Sequence, residues 1–237
     1  MASGAALEKF PRPAVAVDLA IFAVTDVTGP APELRVVVQQ RQDPGGLVLP
    51  GGFMRERATI QATVADVLRR KLEISLDREL APRLLRVFDD PARDDRTWAI
   101  SIAHSVSMRA DELITVRGDL VQVTVDGRLA LSDPLLFDHS EIVSAAVEAL
   151  RNRYEIRYRP EDARPDPDGF LPEPFTLHQL RMVHEAILGE ALHKDNFNYR
   201  MKPYLKAVVR DGHPVRAENL RGRPATLYRR RTRLTEL

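Results

Sequence analysis

The 237-residue chain contains no cysteine. That excludes disulfides, thiolate metal sites and a cysteine nucleophile, and it suits a reducing compartment. Aromatic residues make up only 6% of the chain, with a single tryptophan, Trp98, which is expected to pack on the core. Long apolar runs are missing as well. The longest, Ala14 to Val24, is too short to span a bilayer and is interrupted by Asp18. The N-terminal MASGAALEKFPRP lacks the apolar centre of a secretory signal. A cytoplasmic protein with no membrane partner is expected. The six histidines, His104, His139, His178, His184, His193 and His213, show none of the paired spacings of a metal site, and no motif supports Ser/His/Asp catalysis. No metal and no cofactor are expected.

Charge of one sign is not in excess overall, at +1, but it is unevenly placed. Residues 176–237 carry 13 Lys/Arg against 6 Asp/Glu, a surplus of +7, whereas residues 1–175 carry 22 against 28, a balance of −6. A basic last quarter on a nearly neutral chain points to an anionic partner for that quarter. The length accommodates one large domain or two smaller ones.

Residues 14–24 read as a buried strand, 34–40 as a β-branched strand, and 47–49 as a short strand running into Pro50-Gly51-Gly52-Phe53. The glycines allow a tight turn and close approach to a ligand. A helix follows over Ala58 to Leu72, with Val64, Val67, Leu68 and Leu72 as its stripe. Residues 84–88 and 97–106 read as strands around a charged loop, Asp89 to Arg96, and 120–125 as a further strand. Asp138 and Glu141 have the spacing of a capping box at the start of a second helix, whose stripe is Ile142, Ala145, Ala146, Ala149 and Leu150. Strands with a helix on each side imply an α/β/α sandwich. Residues 159–174 hold five prolines and read as a boundary or stiff linker.

Beyond it, Thr176 and Gln179 form a capping box for a helix over Thr176 to Leu188, with Leu177, Leu180, Val183, His184 and Ile187 on one face and Gly189 as its stop. A short helix starts at Lys194-Asp195 and ends before Pro203; Phe197 and Met201 pack inward. Leu220 to Arg231 reads as a basic hairpin. Helix, short helix and basic ribbon are the layout of a winged helix. Lys194, Asn196, Asn198, Tyr199, Arg200 and Lys202 on the short helix, with Arg221, Arg223, Arg229 and Arg230 on the ribbon, are the expected DNA contacts, the ribbon arginines favouring phosphates. The competing reading is a plain solvated surface.

The stretch Leu49 to Ile74 resembles a Nudix box. With Gly52 as its first glycine, Leu68 and Ile74 fall on bulky apolar positions, but Ala58 falls on the first glutamate. Asp66 and Val67 fall on the Arg-Glu pair, Arg70 and Lys71 on the two metal-binding glutamates, and Glu73 on the late glycine. A guanidinium and an ammonium repel a hard cation rather than ligate it. The resemblance therefore implies the frame without its catalyst, and no catalytic residue. Together with Arg96–Trp98, Phe137–Ile142, Phe175–Leu180, Glu185–Gly189, Asp195–Phe197, Gly222–Ala225 and Leu227–Arg229, it extends to the Nudix-related transcriptional regulators, a degenerate Nudix domain joined to a C-terminal winged helix. That family implies a Nudix-like ligand-sensing domain over 1–157, a linker over 158–174 and a winged-helix DNA-binding domain over 175–237.

It further implies a homodimeric repressor, or sometimes an activator, of NAD or pentose metabolism genes. The repressor would act on a palindromic duplex operator, with ADP-ribose or another phosphorylated sugar or nucleotide as effector. Arg41, Gly51, Gly52, Arg55, Arg57, Arg70 and Lys71 are the expected ligand contacts. Family members often carry Arg-Arg-Lys in the recognition helix where this chain has Asn198-Tyr199-Arg200, so a different operator is expected. The alternatives are an active Nudix-type hydrolase of ADP-ribose or a dinucleotide with an unorthodox metal site, and an RNA-binding or scaffold protein.

Overall fold

Along the first strand, β1 (Ala14–Thr25), Val17, Leu19, Ile21 and Ala23 alternate with Ala16, Asp18, Ala20, Phe22 and Val24, and all nine are buried. A strand buried on both faces needs a layer on each. The computed structural model, which describes residues 10–74, 82–155, 164–217 and 224–231, supplies both. β1 pairs antiparallel with β2 (Glu33–Gln42), which also carries β3 (Gly45–Val48). At its start β1 pairs antiparallel with β4 (Gly51–Phe53), and along its other edge it runs parallel to a later strand, β6 (Ala99–Ser107). β5 (Arg83–Phe88) closes the sheet beyond β6, and β7 (Asp119–Gln122) lies along β2.

One face packs on α1 (Ile60–Asp66) and its continuation Val67–Lys71 through Val64, Val67, Leu68 and Leu72. The other packs on α2 (His139–Tyr154). The expected sandwich is present, with local differences. α1 begins at Ile60 because the Thr59 hydroxyl caps it, accepting the Ala62 N–H at 3.1 Å. The α2 stripe is Ile142, Val143, Ala146, Val147, Leu150 and Tyr154, so two valines stand where alanines were expected. Asp138 makes no capping bond because Arg93 takes its carboxylate. Trp98 is half exposed, since it falls just outside β6 and its alternating inward positions.

The C-terminal part runs β8 (Phe175–Thr176), α3 (Leu177–Leu188), α4 (Lys194–Met201), then β9 (Leu205–Ala207), β10 (Val209–Arg210), β11 (His213–Pro214) and β12 (Leu227–Arg230). The capping box forms: Thr176 Oγ1 accepts the Gln179 N–H at 3.2 Å, and Gln179 Oε1 accepts the Thr176 N–H at 2.8 Å. Gly189 closes α3 in the left-handed conformation, at φ 75°. Among the described residues Leu227–Arg230 has its partners outside 224–231, and just before it Thr226 bridges Arg216. The strand pairs with β8 and with β9, so the ribbon is built from β9 and β12. Residues 218–223 lie outside the described residues.

The described part of the proline-rich stretch, 164–174, is folded against both halves. Asp166 accepts the Tyr154 hydroxyl at 2.8 Å and the N–H groups of Gly169, Phe170 and Leu171 at 3.1, 3.1 and 2.9 Å, and Arg230 approaches it at 3.5 Å. Asp168 accepts two bonds from Arg153, both at 3.0 Å, and the Ser107 hydroxyl at 2.7 Å. Arg83 lies 3.7 Å from it. Both carboxylate side chains are fully buried. His184 of α3 bonds the Pro165 carbonyl through Nε2 at 2.6 Å, and its ring stands edge-on to Tyr154 and to Phe197 of α4 at 4.8 and 5.0 Å. One continuous apolar cluster runs from β1 and β2 through α2 to α3 and α4.

Asp168→Ala leaves the guanidinium of Arg153 without its acid inside this joint. It is expected to cost about 2–4 kcal/mol, the buried-pair penalty discounted for the partial exposure of Arg153 and Arg83. Urea unfolding checks this, and an unchanged midpoint would show that the joint contributes nothing.

Candidate functional site

Asp18 is the one acid in the buried part of β1, and the site is assembled around it. Its Oδ2 accepts the Ser101 hydroxyl at 2.7 Å and Nη2 of Arg93 at 3.3 Å. Arg93 is itself buried and forks onto Asp138, with both bonds at 2.8 Å. Burial alone would pull Arg93 down, but the bonds to Asp138 and the charge of Asp18 hold it above the usual arginine range. β4 crosses so close to Asp18 that a Cβ at Gly51 would lie 2.0 Å from Oδ1, so this position admits only glycine. A Cβ at Gly52 would meet Val67 at an ordinary 3.5 Å.

Above this floor is a cavity of about 290 Å³. Arg41, Lys71 and Arg96 line it, together with Gly51, Gly52, Phe137 and His139. The helix carrying Lys71 ends in a wide turn, Val67–Lys71, where the Leu72 N–H bonds the Val67 carbonyl five residues back at 3.3 Å. Gln39 fixes that end by donating to the carbonyls of Lys71 and Arg117 at 2.8 and 3.0 Å. Lys71 Nζ then reaches back and donates to the Gly51 carbonyl. Burial of its ammonium lowers the Lys71 pKa, and the nearby Asp18 offsets this only in part.

Two guanidiniums lie over the Phe137 ring, Arg41 at 5.5 Å and Arg96 at 4.8 Å from its centre. Its φ is +60°, a strained setting for a non-glycine residue just before α2. Arg96 is held by a forked pair with Asp94, at 2.8 and 2.7 Å, which keeps Asp94 below the usual carboxylate range. His139 Nδ1 accepts the Leu49 N–H at 2.9 Å, and that bond requires an unprotonated Nδ1. Burial likewise lowers its pKa, so His139 is neutral.

The metal that a Nudix frame implies does not fit these residues. The acids on the cavity wall are committed: Asp18 to Arg93 and Ser101, Asp94 to Arg96. Among the described residues no group of three or more His, Asp or Glu side chains is placed to hold an ion. No helix among them is long and apolar enough to cross a membrane.

Of the expected ligand contacts, Arg41, Gly51, Gly52 and Lys71 meet in the cavity. Arg70 does not; it turns outward to Asp66 at 2.6 Å, because the wide turn puts Lys71 on the inner side instead. Arg55 and Arg57 are exposed, Arg57 lying 3.6 Å from Glu56. Sequence reasoning missed Asp18, Arg93, Asp94, Arg96, Phe137 and His139 as site residues. The available signals were an acid interrupting an apolar strand, and a loop dense in both signs of charge.

On α4, Phe197 and Met201 are buried, and Tyr199, opposite that stripe, is 84% exposed. Lys194, Asn196, Arg200 and Lys202 are exposed around it, and Asn198 is half-buried on a flank. Arg229 on β12 is exposed and faces Lys206 directly across the strand pair with β9, a like-charge pairing that an anion would relieve. Arg230 is turned the other way. It donates to the Leu171 carbonyl at 2.6 Å and pairs with Glu173 at 3.1 Å, which makes it part of the joint. Arg221 and Arg223 lie outside the described residues.

Residues 169–230 match the family model of the NrtR DNA-binding winged helix domain. A protein of Acinetobacter baylyi described as "ADPR responsive transcriptional repressor NtrR" is 27% identical over 227 residues, covering 93% of this chain and 83% of that protein. The structure of Shewanella oneidensis NrtR complexed with a 27mer DNA is 27% identical and superposes with a TM-score of 0.67, covering 92% of this chain and 93% of that one. A MutT/nudix family protein of Enterococcus faecalis, 21% identical, has the same fold, with a TM-score of 0.69 over 98% of this chain and 94% of that one. These findings bear out the resemblance to Nudix-related regulators that carry a C-terminal winged helix.

Burial lowers the pKa of His184 as it does that of His139. Both are neutral when folded and gain protons on unfolding below the ordinary histidine value of 6.5. The unfolded state then binds more protons, so this part of the stability is complete above that pH and is lost as pH falls below it. The urea midpoint is expected to decline on acidification from neutrality, and less steeply in His184→Gln. A midpoint that stays flat below about 6.5 would refute the neutral assignment.

Proposed function

We propose that this Nudix-related chain with its NrtR-type winged helix is a DNA-binding transcriptional repressor that senses ADP-ribose or a closely related phosphorylated nucleotide or sugar. The observation that carries the reading is the charge of the cavity. Arg93 is spent on Asp18 and Asp138, and Arg96 on Asp94, so with His139 neutral Arg41 and Lys71 are the surplus cations of the lining, without an ion-pair partner among the described residues. A diphosphate, with one negative charge on each phosphoryl group, complements that surplus. Arg41 and Arg96 offer planar forks, and Lys71 a point charge. Arg55, Arg57 and Arg70 could join only by turning inward.

The same observation favours a sensor over a hydrolase. Cations stand on the cavity wall and its acids are already engaged, so the ligand is held rather than cleaved. On this reading α4 enters the major groove through Lys194, Asn196, Asn198, Tyr199, Arg200 and Lys202, and Arg229 and its neighbours on the ribbon follow phosphates. A homodimer would match a palindromic operator, and the protein would work in the cytoplasm, where that DNA is. Residues 1–157, 158–174 and 175–237 remain our division into sensing unit, joint and DNA-binding unit. The similarity of the Acinetobacter baylyi protein, named for its response to ADPR, supports the choice of effector.

ADP-ribose is expected to raise the melting temperature with a chelator present as much as with Mg²⁺, and Lys71→Glu to weaken its binding about tenfold or more, the loss of a charged hydrogen bond. Hydrolysis of ADP-ribose by the wild-type chain in Mg²⁺ would overturn the sensor reading. On a duplex selected by the wild-type chain from random sequence, Arg200→Ala is expected to lower affinity by about 1–3 kcal/mol and to leave ADP-ribose affinity unchanged. Equal duplex affinity would remove α4 from the interface.

A further inference from the structure

α2 begins at the cavity and ends against α3, whose His184 stands between it and α4. Its 16 residues span roughly 24 Å at 1.5 Å per residue. At the near end, His139 lines the cavity and takes the Leu49 N–H, and Phe137 immediately precedes it. At the far end, three consecutive contacts grip the C-terminal half. Arg151 donates to the Ile187 carbonyl at the end of α3, at 3.0 Å. Arg153 forks onto Asp168. Tyr154 bonds Asp166 and meets the edge of the His184 ring, which in turn meets Phe197 of α4.

Resting on the sensor reading above, we infer that α2 is the connecting rod of the effector response: an anion that recruits Arg41 and Arg96 withdraws them from Phe137, and the resulting shift of α2 is delivered through Tyr154 and His184 to Phe197. Three observations support this. Phe137 holds a left-handed backbone setting, and the two guanidiniums stacked on its ring are the cavity's own cations. A strained residue loses its reason to stay when the contacts that hold it are spent elsewhere. His184 is closed in on every side, with Nε2 on the Pro165 carbonyl and its ring between Tyr154 and Phe197, so a displacement of Tyr154 cannot be absorbed there without moving α4. The joint formed by Asp166 and Asp168 ties the same end of α2 to β12 through Arg230, so the wing moves with the helix.

The test is amide hydrogen exchange on the full chain with ADP-ribose as probe, alongside calorimetric affinity. In the wild type, saturating ADP-ribose is expected to change exchange both at 137–143 and at 194–201, by about fivefold or more at the latter. In His184→Gln and Phe197→Leu, neither of which touches the cavity, ADP-ribose affinity is expected to stay within about twofold and the 137–143 response to persist, while the 194–201 response disappears. If both variants keep the wild-type ratio of exchange with and without ligand at 194–201, those residues are merely structural and the inference is overturned. A wild-type chain that binds ADP-ribose and responds at 137–143 but not at 194–201 overturns it without any variant and leaves the sensor reading standing. Failure of the wild type to bind ADP-ribose removes the sensor reading itself and this inference with it.

Discussion

A carboxylate in a strand that is buried on both faces has to be answered from all sides, because an ionised acid left alone in such a place costs several kcal/mol. Asp18 is that carboxylate, and much of the site follows from it. Ser101 comes from the parallel neighbour of β1 and Arg93 from the charged loop, while β4 gives up a side chain at Gly51 to pass it. Arg93, drawn into the interior to answer Asp18, in turn needs Asp138. Asp138 is thereby lost as the cap of α2, and the helix starts instead on Leu49–His139 and Ser140–Leu135 contacts. The floor of the cavity is thus a set of mutual obligations, fixed before any ligand arrives. Such a floor preorganises the cations above it, and preorganisation is where tight binding of a small anion comes from.

The architecture was legible because it rests on local rules. Two-sided burial of Val17 to Val24, the stripe of α1, the Thr176–Gln179 box and the Gly189 stop each express themselves within a few residues. The ribbon was harder: Leu227–Arg230 finds its partners some twenty residues upstream at Leu205–Ala207, and nothing near it in the chain announces that pairing.

The site was only half legible, for a different reason. Its members come from β1, β2, the turn before β4, the end of α1, the 93–96 loop and the approach to α2, so no single spacing contains it. Charge alone also misleads at the close scale. Arg70 and Lys71 are neighbours with the same sign, yet the five-residue hydrogen bond at Leu72 advances the helix phase enough to send one to Asp66 and the other to Gly51. Arg229 and Arg230 divide in the same way, one on the open face of β12 and the other folded back onto Glu173 and Leu171, since successive residues of a strand face opposite sides.

The apolar cluster that passes without interruption from β1 through α2 into α3 and α4 has a consequence for the lifetime of the protein. Two modules on a loose tether melt independently, and the less stable one is lost first to proteases. Here opening either half exposes apolar surface of the other, so the two halves share their stability, and free energy that a ligand adds at the cavity is shared with the C-terminal half. On the proposed reading, occupancy of the cavity would then set how long each copy survives, whether or not it is bound to DNA.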